Sequence, residues 1–121
     1  MKVLIADDEN LVRMSLVRAL RARGHEVFEA ADGNQALVLW KKDKPDLVVL
    51  DVLMPGLSGF QVLAEIRKLG GGRAVLMSAH AHPEEFGPSG QFQDVIFVAK
   101  PFRDIFEVAQ MIEEQLCPPQ K

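Results

Sequence analysis

The side chains able to do chemistry in this chain stand at the abrupt ends of apolar runs. Asp51 closes a run of branched residues, and Pro55 and Gly56 follow it at once. Asp7 and Asp8 close the run 3–6, Ser78 the run 74–77, and Lys100 the run 95–99. A short apolar run bounded by turn signals reads as a strand buried on both faces. Such strands belong to parallel sheets covered by helices. In open α/β sheets the carboxyl ends of the strands form the ligand-binding edge. With the first and third strands as neighbours, Asp7, Asp8 and Asp51 converge. Carboxylates that close together repel one another, and each has its pKa raised. A hard divalent cation relieves the repulsion. Oxygen ligands with open water positions suit magnesium, which takes one or two carboxylates plus phosphate oxygens; manganese can substitute. Lys100 can pair with the same phosphate, and the Ser78 hydroxyl can donate to it. The chemistry that fits is phosphoryl transfer onto a carboxylate, giving an aspartyl phosphate. The metal and Lys100 neutralise charge in the transition state. Asp51 stands alone and is the better acceptor. The adjacent pair Asp7 and Asp8 suits metal binding, directly or through water.

These residues need a frame that alternates strand and helix. A first strand at 3–6 precedes a helix with Asn10 as its N-cap. Leu11, Met14, Leu16, Val17 and Leu20 form its apolar positions, and Gly24 stops it. A second strand covers 25–29, with only its middle buried. Asp32-Gly33 reads as a turn. Ala36, Leu37, Leu39 and Trp40 mark a second helix, ended by Lys44-Pro45. After the strand that ends in Asp51, Ser58 caps a third helix with Phe60, Val62, Leu63, Ile66 and Leu69. Gly70-Gly-Gly72 ends it. A fourth strand covers 73–77 and a fifth 94–99. A last helix has Ile105, Val108, Ala109, Ile112 and Leu116 on one face, and Pro118-Pro119 ends it. Between Ala79 and Gln93 lie Pro83, Gly87, Pro88 and Gly90, so a helix there is short, irregular or broken. The expected fold is therefore α/β: a single five-stranded parallel sheet, a doubly wound (βα)5 unit with helices on both faces and right-handed crossovers. The strand order expected is the flavodoxin-like 2-1-3-4-5.

Composition bounds the rest. At 121 residues the chain makes one domain with a real core, and about 117–121 reads as a tail or the start of a linker. A net charge of -3 gives no footprint for nucleic acid. No apolar run approaches the roughly 18 residues of a membrane span. The apolar start, 1–6, is too short for a signal peptide. A lone cysteine, Cys117, excludes an internal disulfide and fits a reducing cytosol, so a cytoplasmic protein is expected.

With these residues in place the chain resembles the receiver domains of two-component response regulators, over essentially its whole length. The resemblance rests on Ile5-Ala-Asp-Asp-Glu9, on Leu50-Asp-Val-Leu-Met-Pro-Gly56 with Gly59 after it, on Met77-Ser-Ala79 and on Lys100-Pro101-Phe102. It implies that Asp51 is the phosphorylated residue, fed by a sensor histidine kinase or a phosphotransfer protein. It implies that Asp7, Asp8 and Asp51, with the Leu53 backbone carbonyl, hold the magnesium ion. Ser78 and Lys100 become the residues that respond to phosphorylation, and Phe97 the aromatic that swings inward. The Lys100-Pro101 peptide is expected to be cis, an option realistic only before proline. Leu53 and His80 occupy the positions that flank the phosphoryl group and govern attack by water; Leu53 offers that water no hydrogen bond, so slow self-dephosphorylation is expected. The surface formed by the fourth helix, fifth strand and fifth helix is implied to engage an output partner or output domain.

Each residue also has a plainer reading. Asp7 and Asp8 can cap a helix and favour its dipole. Asp51 can be a turn acid. Ser78 can merely end a strand, Lys100 can be a solvated lysine, and Phe97 can be core packing. His80 and His82 are spaced like a metal pair, but no third ligand lies near them in sequence, and they read as surface residues. The segment between Ala79 and Gln93 departs from the family pattern, which puts the usual homodimer mode in question and motivates an alternative, a phosphorylation-independent interaction scaffold of the same fold. A hydrolase using Asp51 as nucleophile ranks last, because it needs a general acid two positions on, where Leu53 stands.

Overall fold

The computed structural model describes residues 1–71, 73–78, 95–100, 102 and 104–116. The elements run β1 (Lys2–Ala6), α1 (Asn10–Ala22), β2 (Glu26–Ala30), α2 (Gly33–Asp43), β3 (Leu47–Asp51), α3 (Gly59–Lys68), β4 (Ala74–Ser78), β5 (Ile96–Ala99) and α4 (Ile105–Leu116). The five strands form one parallel sheet in the order β2-β1-β3-β4-β5. The irregular segment expected after Ser78 lies outside the described residues, as do His80, His82, Pro101 and Cys117.

Side-chain alternation along the strands divides the core in two. Val3, Ile5, Val49, Val75, Met77 and Val98 face α1 and α4, meeting Leu16, Leu20, Ala109 and Ile112. Leu4, Val48, Leu50 and Leu76 face the other way, onto Ala36 and Trp40 of α2 and Val62, Leu63 and Ile66 of α3. Both faces of β1, β3 and β4 are thus covered, which is why these strands are apolar runs and not alternating ones.

Several local readings change. Asn10 does not cap α1: Glu9 takes the N-cap position without a side-chain cap bond, and Asn10 is the first helical residue. Its Oδ1 instead accepts from Arg13 Nη2 at 2.7 Å. Leu11 and Met14 are exposed. At about 100° per residue, Leu11 lies roughly opposite the face set by Leu16, Val17 and Leu20. Asp32-Gly33 is a helix start. Asp32 accepts from Gln35 N at 2.7 Å while Gln35 Oε1 accepts from Ala31 N at 2.8 Å. Ser58 caps α3 as expected, within a reciprocal box with Gln61. The strands β2, β4 and β5 begin one or two residues later than the sequence suggests.

Candidate phosphoacceptor site

Strand β3 carries Asp51 to the carboxyl edge, where it is 6% exposed. Strand β1 ends beside it, and the next residue, Asp7, is fully buried. The register places Ala6 against Leu50 and Ser78 against Ala99. Backbone bonds extend the sheet past its ladder: Asp7 N donates to Ala30 O (3.1 Å), Val52 N to Met77 O (2.9 Å) and Lys100 N to Ser78 O (2.9 Å). All four chemistry-bearing strand ends therefore sit at one rim.

At that rim Asp7, Asp8 and Asp51 each place a carboxylate oxygen within 4.8 Å of the others. Asp7 and Asp51 are buried and Asp8 is exposed. Lys100 ties Asp7 and Asp51 together. Its Nζ stands 2.6 Å from Glu9 Oε1, 3.0 Å from Asp7 Oδ2 and 3.3 Å from Asp51 Oδ2. Asp7 is braced further: its Oδ1 accepts from Glu9 N at 2.9 Å, and its carbonyl accepts from Arg13 Nη1 at 2.7 Å. Arg13 in turn pairs with Glu29 at 3.2 Å.

Burial is the main force on the Asp51 carboxyl. With the neighbouring charge of Asp7 it raises the pKa from 3.8 to about 7, against the opposing pull of Lys100. Burial also works against the charge of Lys100, but hydrogen bonds to Glu9 and Asp7 outweigh it and hold the ammonium above its ordinary range. The donor set is all hard carboxylate oxygen, and two of its acids, Asp7 and Asp51, are buried side by side. That combination fits a hard divalent cation.

The sequence reading brings Asp7, Asp8, Asp51, Ser78 and Lys100 to one edge, and the structure has them there. Ser78 is 8% exposed. Leu53 is 68% exposed in the loop after Asp51. Phe97 is half-buried, its ring 6.4 Å from that of Phe60 and tilted by 43°. Two residues of the site stand outside the set expected from sequence. Glu9 is the nearest acid to Lys100, and Arg13 holds the Asp7 backbone. The signal for Glu9 was present, since it is the third consecutive acid after β1; Arg13 could be read only as one arginine among several on α1.

The sequence profile of the response regulator receiver domain matches residues 3–113. The chain belongs to the response regulator receiver family. Its relatives include sporulation initiation phosphotransferase F of Bacillus subtilis, 33% identical over 116 residues, 95% of this chain and 93% of the relative. A probable transcriptional regulator of Galdieria sulphuraria, ycf27, is 52% identical over 67 residues, and there the match spans only 26% of the relative. Among solved structures, the receiver domain of the hybrid histidine kinase CckA is 35% identical with a TM-score of 0.77, covering 96% of this chain and 99% of that one. A receiver domain of a Francisella response regulator is 27% identical with a TM-score of 0.82, covering 95% of each. Receiver domains are signalling switches that bind Mg2+ at an acidic pocket and work with histidine kinases or phosphotransfer proteins. Among the described residues, no helix is long and apolar enough to cross a membrane.

Proposed function

We propose that this receiver accepts a phosphoryl group on Asp51 from a phosphohistidine donor, in the cytoplasm, and that the modification alters its surface for an output partner. The observation that carries the reading is the buried Lys100 ammonium, held 3.3 Å from Asp51 Oδ2 and 3.0 Å from Asp7 Oδ2 at the rim where β1, β3, β4 and β5 end. An ionised Asp51 oxygen attacks phosphorus. The phosphorus–nitrogen bond of the donor breaks, and the imidazole leaves with its electron pair and is protonated. Lys100 gains phosphoryl oxygens as partners, and the Ser78 hydroxyl donates to one of them. A magnesium ion held by Asp7, Asp8, Asp51 and the Leu53 carbonyl would supply neutralisation of the phosphoryl charge. The aspartyl phosphate brings about -1.5 to -2 charges to the rim. Drawing Lys100 and Ser78 toward them biases the ends of β4 and β5, and with them Phe97.

The test is incubation with a small-molecule phosphodonor and Mg2+, read by intact mass. The parent is expected to gain one phosphoryl group and Asp51→Asn none. Equal modification of both, or of neither, overturns the assignment. Partner binding that ignores Asp51→Asn and a phosphate mimic would favour a phosphorylation-independent scaffold.

A further inference from the structure

The loop 52–58, between β3 and α3, holds the exposed Leu53, and its path is set by a neighbour outside the acidic cluster. The first turn of α2 lies directly against it. Gly33 N donates to Pro55 O at 3.4 Å. A Cβ on Gly33 would strike the Leu57 carbonyl oxygen, with Leu57 Cβ at 2.7 Å and Leu57 C at 2.8 Å. Beside it, the Asn34 side chain closes on Gly56: a Cβ there would stand 2.6 Å from Asn34 Nδ2. The far end of the loop is as tight. Gly59 N donates to Val52 O at 2.9 Å, and a Cβ on Gly59 would stand 2.5 Å from Asp51 O.

A side chain at Gly33 must therefore move one of two bodies. Helix α2 is held back from retreat, because Ala36 and Trp40 are buried in the core it shares with the sheet. Strand β3 is buried throughout. The loop yields more readily than either, since Leu53, Pro55 and Gly56 are exposed and Met54 and Leu57 are only partly buried on the core. It is also the part that holds Leu53, whose backbone carbonyl is the ligand assigned to it in the proposed magnesium site.

We propose that Gly33 is a positioning residue for the Asp51 site: its bare Cα seats the loop 52–58 on α2 and so sets where the Leu53 backbone stands relative to Asp51. The inference rests on the reading of that site as a magnesium-dependent phosphoacceptor. It makes Asp32-Gly33-Asn34 part of the site's support, although none of the three belongs to the acidic cluster.

The test compares the parent, Gly33→Ala and Gly24→Ala. Gly24 has φ +92° with nothing within 4 Å of its Cβ position, and it precedes β2 at the opposite edge of the sheet. Alanine there strains the backbone without touching the loop. In metal-free Gly33→Ala, amide chemical-shift changes are expected to concentrate in 52–58. Its Mg2+ dissociation constant is expected to rise about tenfold, as when a group supporting a metal ligand is displaced. Gly24→Ala is expected to lower Tm and leave both readouts as in the parent. Parent-like loop shifts and Mg2+ affinity in folded Gly33→Ala overturn the proposal, as does an equal loss in Gly24→Ala. Should Gly33→Ala not fold, the exposed Asn34→Ala carries the same comparison, with a smaller change in the same direction expected and none overturning the proposal. A parent that binds no Mg2+ overturns the phosphoacceptor reading instead, and the metal-free loop shifts still decide whether Gly33 seats the loop.

Discussion

Lys100 Nζ lies closer to Glu9, at 2.6 Å, than to Asp7 or Asp51, the two carboxylates that share its buried end of the site. Glu9 is exposed, so the lysine is anchored at the site's mouth while its charge serves the buried pair. One ammonium thus offsets acids from the end of β1 and the end of β3.

Removing that ammonium leaves buried carboxylates without it. Breaking a buried pair at one partner costs about 3–5 kcal/mol. Asp51 can take up a proton, so the low end applies. Lys100→Ala is expected to lose about 3 kcal/mol in magnesium-free buffer by urea denaturation, and to gain more from added Mg2+ than the parent does. Unchanged stability would show that the buried acids do not depend on the lysine.

The Asp51 pKa makes a second prediction. It rises from 3.8 in the free side chain to about 7 in the fold, so between those values the unfolded chain is ionised and the folded chain keeps the proton. Stability contributed by Asp51 is fully present below about pH 4 and is lost as pH rises through 7. Asp51→Asn keeps a neutral group at every pH. Without Mg2+, its stability advantage over the parent is expected to grow from pH 4 to 7 and to level off above 8, reaching a few kcal/mol at about 1.4 kcal/mol per unit. A constant difference between the two denaturation curves would contradict this.

Leu53 is exposed two residues after Asp51, and its apolar side chain cannot orient a water for attack on the phosphoryl group. Leu53→Asn supplies an amide there. Phosphoryl decay is expected to quicken several-fold in the variant, followed by phosphate release after donor removal. Equal decay would show that the position does not govern lifetime in this chain.

Ser58 and Gln61 close the N-terminus of α3 reciprocally, Gln61 N donating to Ser58 Oγ at 3.2 Å and Ser58 N to Gln61 Oε1 at 2.9 Å. Ser58→Ala is expected to cost about 1 kcal/mol in denaturation experiments. Phosphorylation by a small-molecule donor is expected to continue, because Gly59 N still donates to the carbonyl of Val52, the residue after Asp51. Loss of phosphorylation in a folded Ser58→Ala would show that the cap itself orders the acceptor loop.

The sequence by itself determined the alternation of strand and helix and the residues at each strand end. Apolar runs, caps and glycine stops are local features, and Ser58, Gly24 and the run before Asp51 announce themselves without a partner. Helix faces were less legible: Leu11 is apolar and exposed, and only the packing of Leu16, Val17 and Leu20 on the sheet tells which side of α1 is inside. What tertiary structure alone decided is which distant atoms meet. Lys100 and Asp7 are separated by 93 positions, and their 3.0 Å contact depends on strand order and register together. In the sequence Glu9 is one more acid, and only the fold sets it against Lys100. In the sequence Gly33 is half of a turn signal, and only the fold puts the Leu57 backbone where its side chain would be. A close approach between two segments leaves no mark on either one's local pattern, because the constraint belongs to the space between them.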